Sequence, residues 1–223
     1  MDDIFTLEAH YRRANAQSRL ELTLEQRRDL DAHWGDVTAE PGGVDYLERE
    51  LGGVPVLWAA PAGAAGDRVL LCLHGGGYVG GSVYTHRKLY AHLAKATGAR
   101  AVLPAYSLTP ERQYPTQLDE ITDVYRALLA DGVRPGHIAV VGDSAGGGLA
   151  VSLMLRARAE SVPQAAALVP ISPWTDMTQS GASVVTNRPT DVLFGGEHPM
   201  PTGDLVAMLL PETVAIDGWR HVR

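Results

Sequence analysis

From Arg68 onward, short apolar runs alternate with amphipathic stretches. Val69 to Leu73 has no polar position, Arg100 to Ala105 is apolar after its first residue, and Ile138 to Val141 and Ala165 to Ile171 repeat the pattern. Each run is too short for a helix and predicts a strand buried on both faces. Between the runs, Lys88 to Thr97 predicts a helix that Gly98 stops. Pro115 opens a second, whose Leu118, Ile121, Val124, Tyr125, Leu128 and Leu129 recur at i, i+3 and i+4 spacing. A third runs from about Ala145 to Glu160. This alternation predicts a mostly parallel sheet with helices on both faces, an α/β fold.

The chain ahead of Arg68 has a different pattern. Residues 3 to 34 predict two helices, the second opened by a capping box of Thr23 and Gln26 and ending near Gly35. Val44 to Leu51 and Val54 to Ala60 predict two strands joined by Gly52-Gly53, a two-residue hairpin turn. The Ala/Gly-rich stretch from Pro61 to Gly66 predicts a loop before the parallel strands begin.

Composition leaves this picture intact and narrows the chemistry. With 45% apolar and 20% charged residues over 223 positions, the usage is that of a globular domain with a full core. A formal charge of −7 offers no basic excess to displace counterions, so a nucleic-acid partner is not expected. The lone Cys72 excludes an internal disulfide framework and any multi-cysteine zinc site. No basic segment followed by an apolar stretch marks a secretory signal, and no apolar run approaches the roughly 20 residues of a membrane helix. We therefore expect a cytoplasmic protein without a membrane span.

In sheets of this type, ligands and chemistry collect at the carboxyl ends of the strands. Two distinctive sequences sit there. Gly142-Asp143-Ser144-Ala145-Gly146 lies between the Ile138 strand and the next helix, where a sharp turn lifts a serine above the sheet. Glycines two before and two after the serine keep strand and helix from colliding, and the new helix offers free N–H groups. His74-Gly75-Gly76-Gly77-Tyr78 follows the Val69 strand, and its glycines let backbone N–H groups converge as an oxyanion hole requires. Neither the Gly-x-Gly-x-x-Gly nor the Walker spacing of a phosphate loop is met. His74 precedes the loop that must wrap the oxyanion, so it reads as a structural hydrogen-bonder rather than a catalytic base.

These motifs, in this order, resemble the hormone-sensitive-lipase-like (family IV) esterases of the α/β-hydrolase fold. The resemblance runs from about residue 45 to about residue 194. It takes in Tyr106-Ser107-Leu108-Thr109-Pro110-Glu111, Tyr114-Pro115, and Ser172-Pro173-Trp174-Thr175-Asp176. It implies a serine carboxylic-ester hydrolase without metal or cofactor, acting on a small-molecule ester of short acyl chain. Ser144 would be the nucleophile, the N–H groups of Gly76, Gly77 and Ala145 the oxyanion hole, and Tyr78 a pocket wall. Residues 1–40 would form the cap, 41–194 an incomplete hydrolase core and 195–223 a divergent tail.

Two departures accompany the resemblance. Ala105 and Ser107 stand where the family usually carries an acidic and a basic residue. The family's acid and histidine lie roughly 100 and 130 residues beyond the serine, whereas 223 − 144 = 79 residues follow Ser144 here. His198 and His221 are then the available bases, and Asp176, Asp191, Asp204 and Asp217 the available acids, none matching the family positions. From Gly195 the sequence changes character, as either a frameshifted or a naturally shortened hydrolase would. Asp204 to Leu210 predicts one short helix, Thr213 to Ile216 a short strand, and the tail is expected to be poorly ordered in a monomer. An uncovered Ala165 to Ile171 strand would pair with a second copy or aggregate. Without a positioned histidine, activity would be impaired. The alternatives are a non-catalytic small-molecule binder on a hydrolase fold and an inactive fragment.

Overall fold

At the hairpin turn, Gly52 and Gly53 adopt φ 60° and 78°, the left-handed pair that a two-residue turn between twisted strands demands. The turn joins β1 (Val44–Leu51) to β2 (Val54–Pro61), paired antiparallel along their whole length. This computed structural model describes residues 6–18, 20–195 and 202–211. The all-apolar runs become β3 (Val69–Leu73), β4 (Arg100–Pro104), β5 (Ile138–Asp143) and β6 (Ala167–Ile171). The sheet order is β1-β2-β4-β3-β5-β6. The hairpin joins antiparallel through β2 to β4, and β4, β3, β5 and β6 run parallel.

β6, expected to be buried on both faces, is exposed at all five residues because it stands at the sheet edge. Why β3 is apolar throughout follows from the two layers that cover it. Val69, Leu71 and Leu73 of β3 pack into a core with Ile121, Val124, Tyr125 and Leu128 of α4 (Thr116–Ala130) and Leu149 and Leu153 of α5 (Ser144–Ala159). Leu70 and Cys72 point the other way, among Tyr90, Ala91 and Ala94 of α3 (Val83–Thr97). Alternate residues of one strand thus serve opposite cores, so no position can be polar. The stripe expected on α4 is buried as its spacing requires.

Several boundaries differ from the sequence expectation. α3 begins at Val83, five residues before Lys88, because Ser82 accepts from the Tyr84 and Thr85 N–H groups while Thr85 reaches back to the Ser82 N–H. A threonine in the place usually held by Glu or Gln hid this capping box. The first two helices are α1 (Leu7–Ser18) and α2 (Leu24–Asp31), and α2 carries the expected Thr23–Gln26 box. Beyond Asp31 the chain tightens into a 3₁₀ turn, Ala32–Val37, that takes in Gly35. There a β-carbon would crowd the Thr85 carbonyl oxygen at 2.6 Å, so the glycine admits close approach to α3. The five-residue α6 (Ala182–Thr186) is too short to leave a periodic signature.

The expected tail helix is α7 (Thr202–Leu209), and it is not loose. Val206, Leu209 and Leu210 are buried in the same core as α4 and α5. The Tyr114 N–H donates to the Leu209 carbonyl at 2.9 Å. Disorder of the whole tail is therefore wrong for residues 202–211. The segment has an apolar face of its own, and that face finds the core. The expected strand from Thr213 to Ile216 lies outside the described residues. No described helix is long and apolar enough to cross a membrane.

Candidate active site

Register decides what meets at the carboxyl end of the sheet. Leu73 of β3 stands opposite Gly142 of β5, and Asp143 stands opposite Ile171 of β6. The loops leaving these three strands, 74–78, 143–145 and 172–176, therefore emerge side by side. The Trp174 N–H donates to the Ser144 carbonyl at 2.8 Å and ties the third to the second.

Ser144 holds φ 51°, a left-handed conformation unusual for a residue with a β-carbon, on the turn between β5 and α5. The glycines around it are obligatory. A β-carbon at Gly142 would overlap the Gly146 carbonyl, and one at Gly146 would overlap the Leu73 and His74 carbonyls. At Gly148 it would overlap the Trp174 carbonyl and lie 3.6 Å from the Tyr78 hydroxyl. The first turn of α5 is thus bare because two loops press on it. Its opening N–H groups, including that of the fully buried Ala145, precede any intrahelical acceptor and bring positive potential to the serine.

The glycine loop is built from three successive left-handed residues, Gly76 (φ 122°), Gly77 (φ 63°) and Tyr78 (φ 64°). The Gly76 carbonyl turns away to accept from the Val79 and Gly80 N–H groups at 3.1 and 2.9 Å. Among the described residues, the N–H groups of Gly76 and Gly77 donate to no protein acceptor. Tyr78 is buried, its ring 6.2 Å from that of Trp174, and its carbonyl accepts from the Thr109 N–H at 2.8 Å. Burial, with Tyr114 nearby, pushes its phenol pKa up, so the hydroxyl keeps its proton. Leu205 of α7 lies against Gly77, its Cδ1 2.9 Å from where a β-carbon would stand.

His74 is a structural group. Its ring is buried, stacks on Tyr106 with centroids 4.2 Å apart, and its Nδ1 lies 2.8 Å from the Gly75 carbonyl. The Tyr106 hydroxyl donates to the His74 carbonyl at 2.6 Å. Burial, reinforced by the neighbouring His86, lowers the His74 pKa to about 4, leaving it neutral at pH 7.

The structure thus brings Ser144, Ala145, Gly76, Gly77 and Tyr78 to one place. It does not bring the expected acids there in a usable state. Asp176 accepts from the N–H and hydroxyl groups of Thr178 and Ser180 at 2.6 to 3.0 Å, which holds its carboxyl at about 2. Asp191 caps its own turn through the Leu193 and Phe194 N–H groups at 2.9 and 2.8 Å. For Asp204 only its place in α7 is described, and His198, Asp217 and His221 lie outside the described residues. No described histidine lies within hydrogen-bonding distance of the Ser144 hydroxyl.

Two groups escaped the sequence reading. Arg28 of α2 donates from Nε to the Val79 carbonyl at 2.7 Å and from Nη2 to the Thr109 carbonyl at 2.9 Å, and it pairs both Glu111 oxygens at 2.6 and 2.8 Å. One N-terminal side chain so grips the segments on either side of Tyr78. The second is Asp143, inside the serine motif itself, together with His86 of α3. Asp143 Oδ1 accepts from the Gly75 N–H at 3.1 Å and the Tyr90 hydroxyl at 2.9 Å, and His86 Nε2 lies 3.3 Å from Oδ2. Burial pushes the Asp143 carboxyl up, but these bonds outweigh it and leave its pKa below the ordinary value.

A mixed sheet in this order, with a serine on the strand–helix turn after its fifth strand, is the architecture of the α/β-hydrolases. The chain belongs to the alpha/beta hydrolase fold family, whose model matches residues 70–201 and so runs past Gly195. It is 38% identical over 161 residues to an acetyl-hydrolase of Streptomyces hygroscopicus, covering 72% of this chain and 52% of that protein. It is 37% identical over 136 residues to an esterase of Acinetobacter venetianus, covering 61% and 45%. An esterase crystal structure from the bacterial hormone-sensitive lipase family superposes with a TM-score of 0.85 at 33% identity, covering 93% of this chain and 69% of that one. The chain spans about half the length of the curated relatives it matches. It is a hormone-sensitive-lipase-like α/β hydrolase.

Proposed function

We propose that this chain is a serine carboxylic-ester hydrolase for short-chain acyl esters. Ser144 is its nucleophile, the N–H groups of Gly76, Gly77 and Ala145 its oxyanion hole, and Tyr78 part of its substrate pocket. The observation that carries the proposal is the juxtaposition of a serine at φ 51° with a glycine loop whose N–H groups have no described protein acceptor. The relatives' names, acetyl-hydrolase and esterase, support an ester of small acyl chain. Residues 1–40 act as the cap over a core of residues 41–194, with 195–223 as a tail.

In this reading Ser144 Oγ attacks the acyl carbonyl, and the carbonyl oxygen becomes an oxyanion facing the loop and the start of α5. Each well-placed donor is worth about 3 kcal/mol at that point. Collapse expels the alcohol, and water hydrolyses the acyl-serine. Both halves need a base to take a proton, and among the described residues no histidine reaches Ser144. Oxyanion stabilisation and binding without a base leave ~10³–10⁴-fold over water, so we expect this 223-residue chain to be slow. The same observation favours a second reading, a capped pocket that binds a small molecule without turning it over.

Hydrolysis of p-nitrophenyl butyrate and labelling by an organophosphonate separate these readings. Slow hydrolysis lost in Ser144→Ala, with a single label on Ser144, supports the hydrolase. Saturable ester binding with neither turnover nor label supports the binder. Labelling of another serine overturns the nucleophile assignment. Rates of a complete esterase, lost on His198→Ala or His221→Ala, would identify the base and remove the expected impairment.

A further inference from the structure

Gly75 is the residue through which the glycine loop is attached to the rest of the site. Its N–H is shared between Asp143 Oδ1 at 3.1 Å and His86 Nε2 at 3.4 Å. A β-carbon at Gly75 would overlap the Asp143 carboxylate, so side chain and loop are in direct contact. Asp143 immediately precedes Ser144, and one carboxylate therefore touches both the strained turn and the loop facing it.

The proton arrangement of His86 follows from its other neighbour. The Thr85 hydroxyl donates its one proton to the Ser82 carbonyl at 2.8 Å and lies 2.7 Å from His86 Nδ1. Nδ1 must then carry the proton and donate to Thr85. In the neutral ring Nε2 is left as an acceptor, and the donor it meets is the Gly75 N–H. When Nε2 carries a proton, it donates instead to Asp143 Oδ2 at 3.3 Å. In either state the ring bears on Gly75, directly or through Asp143. The other titratable groups facing it are the rings of His74 at 5.6 Å and Tyr90 at 6.0 Å. The Tyr90 hydroxyl braces Asp143 from beneath and also lies 2.8 Å from the Leu73 carbonyl.

We propose that Asp143 and His86 are positioning residues for the oxyanion loop, fixing the Gly75 peptide from which the Gly76 and Gly77 N–H groups turn towards Ser144. The proposal rests on the hydrolase reading for its consequence, but not for its geometry. Neither side chain reaches the Ser144 hydroxyl. Their action runs through the loop backbone, so their loss falls on the oxyanion and not on substrate docking.

The test is amide exchange across residues 74–78 of the full chain, with organophosphonate labelling of Ser144 beside it. In His86→Ala and Asp143→Asn, exchange of that segment should rise about tenfold or more, the scale of a lost bond to a buried charged group, while β3 and α5 keep their protection. His86→Gln offers a carboxamide oxygen to the Gly75 N–H and an N–H to Asp143, and should return exchange most of the way to wild type. Labelling should slow about tenfold in the two damaging variants, and any measurable hydrolysis should fall in kcat with KM little changed. Should Asp143→Asn fail to fold, His86→Ala and its Gln rescue decide the matter alone. Unchanged exchange of residues 74–78 in a folded His86→Ala overturns the proposal. A wild-type chain that is never labelled overturns the hydrolase reading instead, and the exchange result still stands.

Discussion

His74 shows how a single side chain can report on the integrity of this site. Its pKa falls to about 4 because burial and the neighbouring His86 oppose a second charge, with the Gly75 carbonyl and Asp143 only partly compensating. A histidine at 6.5 in the unfolded chain binds more protons than the folded one between pH 4 and 6.5. Stability from this group is therefore complete above about pH 6.5 and is lost as pH falls towards 4. The shift is worth roughly 3 kcal/mol. Denaturant unfolding at pH 7 and pH 4 should show the wild type losing about that much more than His74→Gln. Equal losses would mean that His74 is not held neutral. The position of His74 was readable from sequence, since it stands just before three glycines. Ser144 and its flanking glycines were readable for the same reason, because the turn is local. The bond between His86 and Asp143 was not, because it joins residues 57 apart through sheet register, which no spacing encodes.

At the scale of elements, local signals were decisive and long-range ones silent. The parallel strands fall within two or three residues of the apolar runs, and Gly98 caps α3 at φ 64° as its position suggested. The docking of α2 could not be foreseen, because Arg28 looks like any exposed helical arginine and its partners lie 51 to 83 residues away. The Arg28–Glu111 pair is partly exposed, with 28% and 57% of the side chains accessible, so its charge attraction is weak, ~0–1 kcal/mol. The bonds to the Val79 and Thr109 carbonyls are part-buried and matter more, because losing Arg28 strands both acceptors. Arg28→Ala should then cost about 1–3 kcal/mol, against less than about 1 for Glu111→Gln. Amide exchange over residues 24–31 should rise in the first variant only. Comparable losses in both would return the weight to the ion pair.

For the molecule as a whole, β6 is the unfinished side. All five of its residues are exposed, with Leu168, Val169 and Ile171 at 37%, 45% and 39%, and the strand carries no charge. Pro170 interrupts it on the outer side. The Ile138 carbonyl accepts from the Ala166 N–H at 2.9 Å and so faces β6. With Val140 opposite Leu168, the alternation of a parallel ladder then turns Ala167, Val169 and Ile171 towards β5. The proline therefore costs the inner ladder nothing, and Leu168 is the strand residue left to present an N–H outward. Proteins blunt such edges with lysine, proline or a covering segment; Pro170 shortens this one, and among the described residues no charge or further strand completes the protection. We expect this 223-residue chain to self-associate with rising concentration through β6, and Val169→Lys to suppress that without unfolding the protein. Sedimentation across a concentration series checks both. A wild-type monomer at every concentration, with the outward Leu168 amide protected from exchange, would show that the edge is already paired within the chain.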